Sequence, residues 1–167
     1  MEDDSGDFQQ YPQEVFMLFN QKKAEQIAQD LLGMSFKMGG RGLPAEAPQI
    51  GAQGGPEEID CYGVLIYFFK QFGIDLPDYS YLDDWDEKEE HYLKHYSSMF
   101  KKLSGDEPPK PGDVILFKNV PEAANHAGVY IGDRKFIHAY RKVGVKIERL
   151  AHKHWKGKVY GYFRVKE

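Results

Sequence analysis

One cysteine and two histidines are the residues of this chain whose types and spacing suit covalent chemistry. Cys61 is the only cysteine among 167 residues. It heads the run Asp60-Cys61-Tyr62-Gly63-Val64-Leu65-Ile66-Tyr67-Phe68-Phe69-Lys70-Gln71-Phe72-Gly73. There Cys61, Val64, Leu65, Phe68 and Phe72 recur at the spacing of one apolar helix face. Asp60 is a good N-cap and Gly73 a good terminator, which puts Cys61 at the first helical position. The free N–H groups and the dipole at a helix start stabilise an anion. They predict a thiol pKa drawn from about 8.5 toward neutrality. A thiolate becomes a working nucleophile only beside a base. Without one, a lone cysteine is a small core hydrophobe.

His126 and His138 are the candidate partners. Residues 126–131 and 135–140 read as strands joined by a tight turn at Gly132-Asp133-Arg134. The histidines lie an even number of residues apart across that hairpin, so they share a face unless a bulge intervenes. If the Cys61 helix packs on that same face, its N-terminus delivers the thiol to His126. His126 then takes the proton, and His138 holds the far ring nitrogen and fixes its tautomer. The thiolate attacks a carbonyl, the N–H of Cys61 helps bind the oxyanion, and water hydrolyses the acyl-enzyme. The competing reading is two ordinary half-buried histidines, and spacing alone leaves both open.

The elements around these residues indicate an α+β chain. Residues 1–12 read as a flexible arm and 13–167 as one domain. A helix is expected over 13–33, with Ala24, Ile27, Ala28, Leu31 and Leu32 on one face and Gly33 closing it. Residues 39–56 are rich in Gly, Pro and Ala and read as a long exposed loop, a lid or docking surface. A further helix is expected over 83–103, with Trp85, Leu93, Tyr96, Phe100 and Leu103 as its buried stripe. After Pro108 come five strand-like runs: 112–117, 126–131, 135–140, 145–150 and 159–165. Their close spacing predicts an antiparallel meander, and helices before strands predict α+β.

Composition removes several function classes. One cysteine excludes a disulfide framework and a cysteine-based zinc site. His91 and His95 sit four apart on the expected helix, but no third ligand accompanies them, so no metal is expected. The Gly-rich stretch has neither phosphate-loop spacing. No run is long and apolar enough to cross a membrane, so no membrane insertion is expected. Met1 to Asp7 is acidic and unlike a signal peptide, which predicts a protein made in the cytoplasm that either works there or leaves by a route other than a cleaved signal. Net charge is −4, yet the stretch after Arg134 is basic. Its charges alternate with apolar residues, which fits a solvated sheet face better than a nucleic-acid surface.

Four pieces in order carry a resemblance. They are Asp60-Cys61-x-Gly63-Val64, Lys110 to Phe117, Asn125 to Gly132, and Phe136-Ile137-His138-Ala139. Over about residues 20–165 the chain resembles the NlpC-type cell-wall endopeptidases, a papain-like cysteine peptidase family. The resemblance implies an α+β papain-like fold: N-terminal helices, the cysteine at a helix N-terminus, and an antiparallel sheet of about five strands packed against it. It implies Cys61 as nucleophile, His126 as base and His138 as the orienting residue, with no cofactor. It implies peptidoglycan stem peptides as substrate, cleaved between D-glutamate and a diamino acid. By the same resemblance Asp60, Tyr62 and Phe36 are substrate-contact candidates. Asp60 has helix capping as its other role, Tyr62 stands where many members have Ser, and Phe36 where many have Tyr.

The flanks Met34 to Arg41, Leu76 to Ser80 and Tyr160 to Arg164 look most like the branch found with phage tails. That implies tail or particle proteins as partners and action at the bacterial wall after cytoplasmic assembly. Two other classes stay open: a structural tail subunit with little activity, and a papain-like amidase or acyltransferase on another acyl substrate. An acyltransferase is expected to carry a membrane-facing apolar segment, and an inactive subunit is free to lose one of the three residues.

Overall fold

Helix α1 (Gln21–Leu31) starts where the Asn20 side chain accepts a hydrogen bond from the backbone N–H of Lys23 at 2.8 Å. It buries Ala24, Ile27, Ala28 and Leu31, the face read from the sequence, and Gly33 follows with φ +93°. The computed structural model describes residues 20–42, 58–78, 91–121 and 123–166. The expected N-terminal arm, the start of the 13–33 helix, nearly all of the 39–56 loop and the side chains of His91 and His95 lie outside the described residues.

Strands β1 (Ser35–Phe36) and β2 (Glu58–Ile59) form a short parallel pair. The chain from β2 leads into helix α2 (Cys61–Lys70), which buries Val64, Leu65, Phe68 and Phe69 among the residues of its packed faces. Helix α3 (His91–Tyr96) falls within the 83–103 helix that periodicity suggests, whose start at 83–90 lies outside the described residues; Phe100 and the lysines after it are not helical but form strand β3 (Phe100–Lys102). The aromatic and charged residues there fit a strand edge as readily as a helix end, and pairing with the C-terminal strand decides the outcome.

The sheet has six antiparallel strands rather than about five. After β3 come β4 (Val114–Phe117), β5 (His126–Gly132), β6 (Lys135–Tyr140) and β7 (Gly144–Arg149). The short helix α4 (Lys153–Lys156) then leads to β8 (Val159–Val165). Their spatial order is β3-β8-β4-β5-β6-β7. The expected meander holds for β4 to β7. Strand β8 departs from it, returning to the far side of β4 and accepting β3 as the new edge. The turn before β4 is built by Asp113, whose carboxylate accepts from the backbone N–H of Lys110 at 2.7 Å and is gripped by Arg164 of β8 at 2.7 and 2.9 Å.

The two faces of the sheet have separate cores. Ala127, Val129 and Ile131 of β5 and Ile137 and Ala139 of β6 face α1 and α2. The alternate residues point the other way, where Ile115, Phe117, Tyr130 and Phe136 gather around Trp155 of α4.

Candidate active site

Cys61 occupies the first position of α2, as the capping pattern predicts. Asp60 holds it there. One carboxylate oxygen accepts from the backbone N–H of Gly63 at 2.7 Å and from Arg41 Nη1 at 3.1 Å; the other accepts from the N–H of Gly39 at 2.7 Å. Arg41 also pairs with Asp78 at 3.0 Å. The fit is tight: a Cβ on Gly63 would lie 2.4 Å from the carbonyl oxygen of Gly40. Asp60 is 1% exposed, and its carboxylate caps the helix.

The thiol does not sit in the electrostatic setting that a helix start suggests. Burial, and then the neighbouring Asp60 carboxylate, push Cys61 up to about 12. The Tyr92 hydroxyl, 2.8 Å from Sγ, the backbone N–H of Ala127 and the Arg41 charge act in the opposite direction without overcoming burial. The expectation of a near-neutral thiol pKa is therefore corrected: Cys61 rests as a protonated thiol.

His126 opens β5 and His138 lies in β6. Their rings meet, with His126 Nε2 2.8 Å from His138 Nδ1. Gly128 makes the approach possible, since a Cβ there would come within 2.9 Å of the Ile137 carbonyl oxygen and the Phe136 ring and 3.3 Å of His138 Cβ. The expectation that α2 packs on the face of the histidines is not met. Helix α2 takes the aliphatic face, whereas both histidines point into the aromatic one. Ala, Val and Ile alternate with His, Gly and Tyr along β5, and only the small aliphatic side is flat enough for a helix. At the N-terminal end of β5, Cys61 and His126 open onto one cleft of about 260 Å³. Phe36, Met38, Asn119, Asn125, Tyr140, Arg141 and Lys158 also line it.

Trp155 stacks on His126, centroids 5.3 Å apart and planes 18° from parallel, and meets His138 edge-on at 4.9 Å. Burial and the nearby His138, Lys158 and His154 charges hold His126 well below the usual histidine range. His138 is also depressed by burial, against the pull of Glu148, whose Oε2 lies 2.5 Å from His138 Nε2. Because His126 Nε2 is engaged by His138, Nδ1 is the ring nitrogen left for a proton from the cleft.

Among the substrate-contact candidates, Phe36 lines the cleft. Tyr62 is fully buried, 5.2 Å from the Tyr92 ring and 5.3 Å from that of Tyr96. Asp60 is buried and turned to Arg41 and to the backbone N–H groups of Gly39 and Gly63. Sequence reasoning missed Tyr92, Trp155 and Glu148. Tyr92 precedes Tyr96 by one helical turn, and strand parity across the β6–β7 hairpin puts Glu148 on the face of His138; both signals were present.

The profile of the NlpC/P60 family matches residues 33–164, most of the chain. The chain belongs to the NlpC/P60 family. Among curated proteins, it is 34% identical over 110 residues to gamma-DL-glutamyl hydrolase of Bacillus subtilis, covering 65% of this chain and 23% of that one. It is 33% identical over 99 residues to murein DD-endopeptidase MepS/murein LD-carboxypeptidase of Escherichia coli K12, covering 59% and 45%. It is 28% identical over 106 residues to tail tip assembly protein K of Escherichia phage lambda, covering 63% and 53%. The chain thus spans between about a quarter and a half of these relatives. The fold matches NlpC1 from Trichomonas vaginalis with a TM-score of 0.61 at 18% identity, covering 88% of this chain and 45% of that one. It also matches the NlpC/p60 domain of peptidoglycan hydrolase SagA with a TM-score of 0.53 at 19% identity, covering 89% and 99%. The α+β papain-like fold read from the sequence is the fold of this family.

Proposed function

We propose that this NlpC/P60 domain is a cysteine endopeptidase that hydrolyses peptide bonds in peptidoglycan stem peptides. The observation that carries the reading is Cys61, at the N-terminus of α2, opening on the same cleft as His126, whose far nitrogen is held by His138 at 2.8 Å. The names of the curated relatives support the substrate class, one being a murein endopeptidase and another a glutamyl hydrolase.

In this reading the resting pair is neutral, a thiol and an imidazole that line one cleft. As a carbonyl carbon approaches Sγ, the thiol proton moves to His126 Nδ1 and the S–C bond forms. The backbone N–H groups at the start of α2 receive the developing oxyanion. The imidazolium then protonates the departing amine, which leaves a thioester. His126 next takes a proton from water, the hydroxide displaces sulfur, and the acid product departs with the thiol restored. Arg141 and Lys158 in the cleft attract carboxylates, which stem peptides carry. Phe36 contacts substrate by shape, while Asp60 and Tyr62 act from behind the cleft, by holding Arg41 and the helix start.

The test is mass spectrometry of muropeptides of several wall chemotypes incubated with wild type and Cys61→Ala. Release of one defined stem fragment by wild type alone supports the reading. Intact muropeptides beside an inert thiol overturn it and favour a structural subunit; intact muropeptides beside a cleaved non-wall amide or ester favour another acyl substrate.

A finer reading makes the domain a component of a phage tail or phage-like particle, assembled in the cytoplasm and acting at the wall. The match to the lambda tail tip protein supports it, at an identity close to those of the wall hydrolases. Its test is co-sedimentation of the protein with tail particles from a producing culture; recovery only in the unassembled fraction would sink it.

A further inference from the structure

We propose that Glu148 is a positioning residue that sets the tautomer of the base His126 from two rings away, through His138. The inference rests on the proposed cysteine peptidase mechanism for its kinetic consequences, but its structural content stands apart from any substrate.

The argument counts protons. The hydrogen bond to His138 holds Glu148 below the usual carboxylate range, so it is ionised and can only accept. Its Oε2 lies 2.5 Å from His138 Nε2, which must therefore carry the proton. A neutral imidazole has one N–H, so His138 Nδ1 is left as an acceptor. The 2.8 Å contact from that atom to His126 Nε2 needs a donor, and His126 Nε2 must supply it. Burial above all keeps His126 neutral, so Nδ1, the nitrogen that His138 does not engage, keeps a lone pair on a ring that lines the cleft. A thiol proton can go only to such an atom.

Without the carboxylate the same two rings can hold the opposite pattern. His138 Nδ1–H would donate to His126 Nε2, and His126 Nδ1 would carry the proton. The base would then meet the thiol with its hydrogen forward. The carboxylate also bears the charge that balances the imidazolium once His126 takes the thiol proton.

Glu148 is built into this position. Its side chain is only 23% exposed, and it meets the ring of His138, which Trp155 packs edge-on while stacking on His126. One indole thus braces both rings of the relay. Other charged groups face the relay: His152 beside Glu148, His154 beside both rings, Lys158 beside His126, and Lys146, paired with His138 across the β6–β7 ladder. They are common to wild type and variant, so a difference between the two reports Glu148.

The experiment compares wild type, Glu148→Ala and Glu148→Gln. Nitrogen-15 histidine NMR of the resting protein near neutral pH should show Nε2–H on both rings in wild type. Glu148→Ala should show protonation at Nδ1 of His126 in a substantial fraction. In turnover, Glu148→Ala should lower kcat on the order of ten-fold with little change in KM. The acid limb of kcat/KM should move to lower pH, because the imidazolium has lost its counter-charge. Glu148→Gln, whose amide oxygen still accepts from Nε2–H, should restore the tautomer but not the limb. If Glu148→Ala does not fold, Glu148→Gln alone decides by the limb. Wild-type tautomers and an unmoved limb in a folded variant overturn the proposal. If wild type cleaves no muropeptide, the peptidase reading fails, and the NMR result still decides the tautomer claim.

Discussion

The two faces of the β5–β6 hairpin do different work with the same backbone. One face is Ala127, Val129, Ile131, Ile137 and Ala139, all buried, and it seats the helix that carries Cys61. The other is His126, His138, Phe136 and Tyr140 around Trp155, with Glu148 closing it from β7. The first face has no polar side chain to satisfy and holds its helix by packing. The second holds a chain of short polar contacts, Glu148 to His138 to His126, enclosed by rings. The proposed nucleophile Cys61 and base His126 are thus built on opposite sides of a sheet and meet only at the end of a strand. Damage to the aliphatic face should cost stability, and damage to the aromatic face should cost chemistry.

Four substitutions and one change of pH test that division. Removing the nucleophile has the largest effect: Cys61→Ala should lower turnover by about 10⁴-fold or more while the melting temperature stays close to that of wild type, measured by fragment release and by calorimetry. A variant that keeps its activity would take Cys61 out of the reaction. Next come the histidines. His126→Ala should lose about 10⁴-fold and His138→Ala about 100-fold in kcat, and a reversed order would exchange their roles.

On the aliphatic face, Ile137→Ala should destabilise by about 2–5 kcal/mol in urea unfolding, with kcat preserved in the folded fraction. A fall in kcat with unchanged stability would break the comparison. The smallest effect is on stability against pH. Both histidines have a folded pKa below their ordinary 6.5, so the unfolded chain binds their protons first. Stability should be fully present above pH 6.5 and erode as pH falls, by up to about 1.4 kcal/mol per unit for each histidine until its folded pKa is reached. A urea midpoint that does not move between pH 7.5 and 5.5 would contradict the buried, neutral pair.

The strands at 135–140 and 159–165, the Asp60 cap and the meeting of His126 with His138 were all legible in the chain, because each rests on a local signal: alternation, a capping residue, a short hairpin. What was not legible depended on partners distant in sequence. Phe100 to Lys102 reads as a helix end until β8 arrives to pair with it. The histidines share a face in any two-residue periodicity, but which face the helix takes depends on comparing the bulk of both. The thiol's pKa was misjudged because a helix dipole is visible in sequence and burial is not. Tyr92 and Glu148 reach the site only through the packing of α3 and the register of β7.

One feature near the cleft bears on how such a domain diversifies. Gly42 N–H donates to the carbonyl of Glu58 at 3.0 Å, and Arg41 forms a bridge with Ile59. Gly42 and Glu58 are therefore held side by side, locked by backbone hydrogen bonds and by the Arg41–Asp60 ion pair. Between two ends fixed this close, closure cost rises only with the logarithm of the number of residues joining them. Variation in that number between positions 42 and 58 is thus cheap in entropy and leaves the position of Cys61 untouched.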